Sequence, residues 1–209
     1  MERRPRRPAM LDAQTADRIV GDVDPALRSE AAHTTAAVLL RRGRDGAEDR
    51  ALVDRLIALV DAEGLDVVAA LWAQSPARTL PGALWRLYLL REWVRRDPRT
   101  IAERFRLGMQ RAEVAGVIAG VADPPGPDEV RGTADAVLAG VYEGDLDVAL
   151  DRAASFFRVV ATGAALDADW IADSDDDLAR QVTRRAGALL ATAEELEAAA
   201  DLARAGELD

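Results

Sequence analysis

Aspartate–proline pairs constrain the fold of this 209-residue chain more than any other feature. Aspartate is a favoured helix N-cap and proline a favoured first helical residue. The Asp-Pro pairs at 24–25 and 97–98 therefore each predict the start of a helix. A third start is predicted at Pro81, which opens a helix that continues to about Arg96. The chain reads as consecutive helices joined by short connections.

The residues between these signals are those that favour helices. Hydrophobic residues make up 49% of the chain but aromatic residues only 4%, so alanine, leucine and valine must build most of the core. Alanine, leucine, arginine and glutamate are strong helix formers, whereas the strand-forming residue types are few. The sequence predicts an all-α protein, a multi-helix bundle of about eight or nine helices that is either compact or bilobed.

The run DPPGP at 123–127 is the strongest candidate domain boundary. Three prolines and a glycine cannot continue a helix. We expect a flexible basic tail over 1–9, a main helical lobe over 10–123 and an acidic C-terminal helical lobe over 124–209. The two lobes can also pack as one domain.

Beyond this boundary, local signals predict three connections. Residues 128–161 predict an antiparallel helix pair with a tight turn at 144–145. Ser174 predicts the start of the next helix. Thr192 with Glu195 matches the capping-box pattern, which predicts that a last helix begins there.

Charge is distributed unevenly along the chain. The net charge is −10, and all 27 basic residues are arginine. Lysine and asparagine, whose codons are AT-rich, are absent, which is typical of a protein from a GC-rich bacterial genome. Residues 1–123 have 20 arginines against 18 acids, and residues 124–209 have 7 against 19. We expect a basic zone and an acidic zone that either meet separate partners or neutralise each other.

The basic zone is concentrated in residues 78–111, which hold 9 arginines against 3 acids. Within it, the helix TLPGALWRLYLLREWVRRDP (79–98) is apolar nearly all round in its first half, which predicts burial from Leu84 to Leu90. Its charged residues cluster near the end, where we expect exposure. The candidate surface for an anionic partner comprises Arg86, Arg91, Arg95, Arg96, Arg99, Arg104, Arg106 and Arg111, with Trp85 and Tyr88 as candidate aromatic neighbours.

A second pattern overlaps this surface. Residues 100–118, TIAERFRLGMQRAEVAGVI, resemble the helix-turn-helix of bacterial DNA-binding proteins, with Gly108 at the turn. The resemblance implies a nucleic-acid-binding regulator whose arginines contact phosphates. Glu103 and Arg104 depart from the pattern, since small or apolar residues are expected at those positions.

The chain lacks a recognisable set of catalytic or metal-binding residues. It has no cysteine, a single histidine (His33) and none of the common nucleotide-binding or hydrolase motifs. The run DSDDD at 173–177 places aspartates as in a calcium loop, but Leu178 and Arg184 occupy the positions that require glycine and glutamate. We therefore predict no cofactor and no metal, and interpret the run as an acidic first helical turn.

These observations favour a non-enzymatic module for protein–protein interaction or regulation, whose partner is another protein or a second copy of the chain. The first alternative is a nucleic-acid-binding regulator that uses residues 100–118. The second is an enzyme with an unrecognised carboxylate- or arginine-lined site. The longest uncharged apolar run, at 114–122, is too short to span a bilayer, and no apolar signal-peptide core follows the basic N-terminus, so we expect a cytoplasmic protein.

Overall fold

A computed structural model describes residues 24–41, 62–115, 124–140, 142, 144–172 and 176–209. The predicted tail over 1–9, residues 116–118 and residues 173–175 lie outside these ranges. The described ranges hold no strand and seven helices: α1 (Pro25–Arg41), α2 (Leu65–Trp72), α3 (Leu80–Arg96), α4 (Pro98–Ala115), α5 (Pro127–Leu138), α6 (Leu146–Ala172) and α7 (Asp176–Ala205). For this part of the chain, the all-α prediction is confirmed, with fewer helices than predicted. No helix within it is long and apolar enough to cross a membrane.

The helix starts marked by proline are confirmed. α1 begins at Pro25 and α4 at Pro98. Thr79 is the N-cap of α3, and its Oγ1 accepts a hydrogen bond of 3.3 Å from the Gly82 N–H. Pro81 lies in the first turn of α3, where its missing N–H leaves no helical bond unmade.

The two predicted C-terminal helices are one helix. α7 runs without a break from Asp176 to Ala205, so the predicted helix start at Thr192 is wrong. The Thr192 hydroxyl donates to the Ala188 carbonyl one turn earlier (3.0 Å), as threonine does inside a helix. Glu195 contacts Arg86 of α3 and does not cap α7.

The connection between α5 and α6 begins earlier than predicted. α5 ends at Leu138, and Gly140 follows with a φ of +67°, a conformation that glycine adopts without strain. α6 begins at Leu146, and the Ala149 N–H donates to the Asp145 carbonyl (3.2 Å) in its first turn. The helix pair is therefore joined by a loop that begins near Gly140, and the tight turn at 144–145 is wrong.

Helices on both sides of the proline-rich boundary share one hydrophobic core. α6 and α7 form the most extensive helix pair, α4 packs on α6, and α3 packs mainly on α5. The largest fully buried side chains include Trp72 of α2, Leu84 and Leu87 of α3, and Phe156 of α6. The Phe156 ring stacks on Phe105 of α4, with centroids 5.5 Å apart.

Candidate functional site

The arginines of the candidate surface do not form one patch. Arg86 of α3 contacts Glu195 of α7, with Nε and Nη2 both 2.7 Å from Oε2. Arg91 Nε lies 2.5 Å from Asp135 Oδ1 on α5. Both carboxylates belong to the acidic region after the boundary, so within the fold that region neutralises two of the predicted surface arginines.

A buried carboxylate gathers the other charges near the end of α3. Glu92 is 5% exposed, and its Oε1 accepts a 2.7 Å hydrogen bond from Arg91 Nη1. The exposed Arg95 and Arg96 lie 3.5 and 3.4 Å from its Oε2. The hydrogen bond to Asp135 raises the pKa of Arg91. The sequence predicts that Arg91 is exposed, but its side chain is half-buried. Three arginines thus surround Glu92, an arrangement that stabilises a buried carboxylate.

The four remaining arginines of the candidate surface lie on α4. Arg99, Arg106 and Arg111 are exposed, and none of them forms an ion pair with a described residue. Arg104 is half-buried.

The turn predicted at Gly108 is wrong, because α4 is one continuous helix from Pro98 to Ala115. Gly108 instead lets α4 approach α6, since a Cβ there would overlap the carbonyl oxygen of Val159. The helix-turn-helix geometry is therefore absent from residues 100–115, while nucleic-acid binding stays a prediction.

The two candidate aromatic residues stack on each other but have different surroundings. The ring centroids of Trp85 and Tyr88 are 5.4 Å apart. Tyr88 is 8% exposed, and its hydroxyl donates to Asp66 Oδ1 (2.9 Å). Burial and this hydrogen bond raise the pKa of Tyr88. Trp85 is half-buried and remains available at the surface.

Trp85 lines an apolar groove with a volume of about 360 Å³ on α3, α6 and α7. Its walls are Trp85, Arg86, Leu89, Leu90 and Trp93 of α3, Phe157 of α6, and Leu189, Thr192 and Glu195 of α7. The Trp93 ring stacks on Phe157, with centroids 6.2 Å apart. Leu89, predicted to be buried, is 45% exposed, because none of the described helices covers that side of α3.

The two helices that flank the groove run antiparallel. The Leu80 N–H donates to the Asp209 carbonyl (2.6 Å), Arg86 contacts Glu195, and Trp93 shares the groove with Leu189. Residue numbers therefore rise along α3 as they fall along the C-terminal segment and α7. Trp93 and Leu189 lie toward one end of the groove, and the Arg86–Glu195 ion pair lies toward the other.

The sequence prediction identified Trp85 and Arg86 but missed most of the groove. A usable signal was the row Trp85, Leu89 and Trp93, which recurs every four residues and so lies on one helical face. For Phe157 and the α7 residues no local signal exists, because they reach the groove only through the packing of helices distant in sequence.

A second cavity, of about 270 Å³, lies between the α5–α6 connection and the C-terminal segment. Asp145 and Asp147 line it, but Asp147 is paired with Arg204 (3.1 Å). The described residues contain no group of three or more histidine, cysteine, aspartate or glutamate side chains that could hold a metal ion. Asp145 is the one carboxylate lining this cavity that forms no ion pair with a described residue.

No protein-family model matches the chain, and neither a curated protein nor a solved structure matches it. The function must therefore be inferred from the geometry of the groove and the charges around it.

Proposed function

We propose that this protein is a non-enzymatic interaction module whose groove between α3 and α7 binds an amphipathic α-helix of another protein. The row Trp85, Leu89 and Trp93 carries the proposal. It places three bulky apolar side chains beside the groove, and Leu89 in its centre is 45% exposed. Large apolar side chains grouped at a concave surface favour association with a partner.

The dimensions of the groove suit a helix. From Trp85 to Trp93 the wall spans about 12 Å at roughly 1.5 Å per residue, slightly more than two helical turns. A docked helix would contact it through apolar side chains at positions i, i+4 and i+7. On α7 the groove side carries Thr192, with the exposed Ala188 one turn earlier, and such small side chains permit close helix approach.

The groove also has the anatomy of a protein interface. An apolar centre with a polar rim is typical of such surfaces, and aromatic residues are enriched at their centres. Here the aromatic residues Trp85, Trp93 and Phe157 form much of the wall, while Arg86 and Glu195 supply a charged pair at one side. A nucleic acid would instead require a concentration of unpaired basic side chains.

Selection from a random library of peptides of about 15 residues, with the full chain immobilised, tests the proposal. We expect the enriched peptides to carry bulky apolar residues at i, i+4 and i+7. Leu89→Asp should weaken their binding at least about tenfold, because it places a charge in the apolar centre. Affinity is measured by fluorescence anisotropy with labelled peptides.

The matched control is Val67→Asp. Val67 lies on α2 outside the groove lining and is 44% exposed, nearly the same as Leu89. It should leave peptide affinity unchanged. The proposal is wrong if no peptide with this spacing is enriched, or if both substitutions weaken binding equally.

Nucleic-acid binding is the second candidate, favoured by the exposed Arg99, Arg106 and Arg111 on α4. Phosphate contacts by these side chains would make the affinity fall steeply with salt concentration. A mobility shift at low salt that is abolished by Arg99→Glu with Arg106→Glu would support it. No shift with mixed DNA and RNA would eliminate it.

A further inference from the structure

The two ends of the groove differ in charge. At one end Arg86 and Glu195 largely neutralise each other. At the other end the groove-facing row of α3 continues from Trp93 to Arg96, three residues later. On α7 the groove-lining residues Glu195, Thr192 and Leu189 lie on one helical face, and Arg185, four residues before Leu189, continues that face.

Because α3 and α7 are antiparallel, these two continuations lie toward the same end of the groove. Arg96 and Arg185 are both exposed. Arg185 forms no ion pair with a described residue, and Arg96 has only the 3.4 Å contact with Glu92. This end therefore presents positive charge that the described part of the chain does not fully neutralise.

The opposite end presents a carboxylate oxygen. Glu195 Oε2 accepts the hydrogen bond from Arg86 Nε and is also the oxygen nearest Arg86 Nη2, whereas Oε1 has no hydrogen bond to a described residue. The Glu195 side chain is 42% exposed, whereas that of Arg86 is 16% exposed. A docked partner would therefore meet the carboxylate of this pair more readily than the guanidinium.

We infer that the docked helix lies parallel to α3, with its C-terminal turn at Arg96 and Arg185 and its N-terminal turn at Glu195, and that the partner carries carboxylates in that C-terminal turn. The inference rests on the proposed function of the groove. A helix has partial positive charge at its N-terminus and partial negative charge at its C-terminus. In this direction the negative C-terminal end of the docked helix meets the arginines and its positive N-terminal end meets the Glu195 carboxylate. In the reverse direction each end of the docked helix would meet charge of its own sign.

The same reasoning disfavours a second copy related by a two-fold axis perpendicular to the groove. Such an axis would set the α3 of the second copy antiparallel to the first. The positive N-terminal end of that helix would then face Arg96 and Arg185. A separate partner protein with an acidic C-terminal turn fits the charges of the groove better.

A pair of peptides tests the charge preference. Both have the same leucines at i, i+4 and i+7, and three glutamates stand in the last turn of one and in the first turn of the other. We expect the first to bind about tenfold more tightly at low salt, and the preference to shrink at about 0.5 M salt because the charges are exposed. Arg96→Glu with Arg185→Glu should remove or reverse it, whereas Arg106→Glu on α4 should not.

A cross-linking experiment tests the direction itself. The chain has no cysteine, so Ala188→Cys provides a single thiol near the Arg185 end of the groove. Selected peptides carry one cysteine activated as a mixed disulfide with a small thiol, which leaves when the introduced thiolate attacks the peptide sulfur. Peptides activated at the C-terminal end should cross-link faster than peptides activated at the N-terminal end. Equal rates, or the opposite order, would overturn the inferred direction.

The two proposals fail in different ways. Peptides that bind, depend on Leu89 and cross-link from the N-terminal end would leave the groove function standing and overturn only the direction. Absence of any groove-dependent peptide would overturn both. A dimer of the chain alone that Leu89→Asp dissociates, measured by light scattering, would identify a second copy as the occupant and overturn the inferred partner.

Discussion

Gly108 of α4 faces the carbonyl oxygen of Val159 on α6 so closely that the two backbones leave no room for a side chain. Gly163 of α6 faces the carbonyl of Arg104 on α4 in the same way. From the first contact to the second, the residue number falls by four on α4 and rises by four on α6, so the two helices are antiparallel. Each helix contributes one glycine to the crossing. Gly108 is thus a close-packing residue.

Gly108→Ala should destabilise the fold by about 1–3 kcal/mol, because the added methyl group must push two backbones apart. Gly187 on α7 is the matched control, since a Cβ there meets nothing within 4 Å. Gly187→Ala should stabilise the fold by about 0.5–1 kcal/mol through its higher helix propensity. Urea unfolding measures both changes, and equal effects at the two positions would contradict the close contact.

The Arg86–Glu195 contact should contribute more than an exposed ion pair, because the Arg86 side chain is mostly buried. A double-mutant cycle to alanine should give a coupling of about 1 kcal/mol. The pair Arg131–Asp128 on α5 is more exposed and longer, at 3.6 Å, so its coupling should stay below about 0.5 kcal/mol. A coupling near zero for Arg86 and Glu195 would show that the acidic region does not neutralise this arginine.

Tyr88 should make stability fall in alkaline solution. Burial and the bond to Asp66 raise its folded-state pKa above the ordinary value of about 10. The stability that Tyr88 contributes is therefore complete below about pH 10 and is lost as the pH rises through the raised pKa. The urea midpoint should fall more steeply above pH 10 in the wild type than in Tyr88→Phe. Identical slopes would contradict the assignment.

Glu92→Gln should destabilise the end of α3 by about 1–3 kcal/mol, because it removes the charge that Arg91, Arg95 and Arg96 surround. Glu103 on α4 is exposed and serves as the control. Glu103→Gln should change the free energy of unfolding by less than about 0.5 kcal/mol. Thermal unfolding at neutral pH and low salt compares the two variants, and similar midpoints would show that the cluster around Glu92 does not stabilise the fold.

Local chemistry explains why some elements were predictable. Pro25, Pro81 and Pro98 mark helix starts that depend only on the residues beside them. The Thr192–Glu195 pattern predicted a helix start that does not exist. Residues three apart can form a capping box at a helix start, but they are also neighbours on one face in the middle of a helix. Gly108 failed for a related reason, since a glycine suits both a turn and a close helix contact.

The sequence by itself determined that the chain is helical and that it contains a basic and an acidic region, because both properties depend on composition and local order. Only the tertiary structure decided that Arg86 meets Glu195, 109 residues later, and that Leu89 stays at the surface while Leu90 is buried. The hydrophobic effect is not directional, so an apolar pattern defines which face of a helix avoids water. The packing of the other helices decides what covers that face, and the described helices leave the groove beside Leu89 on α3 open.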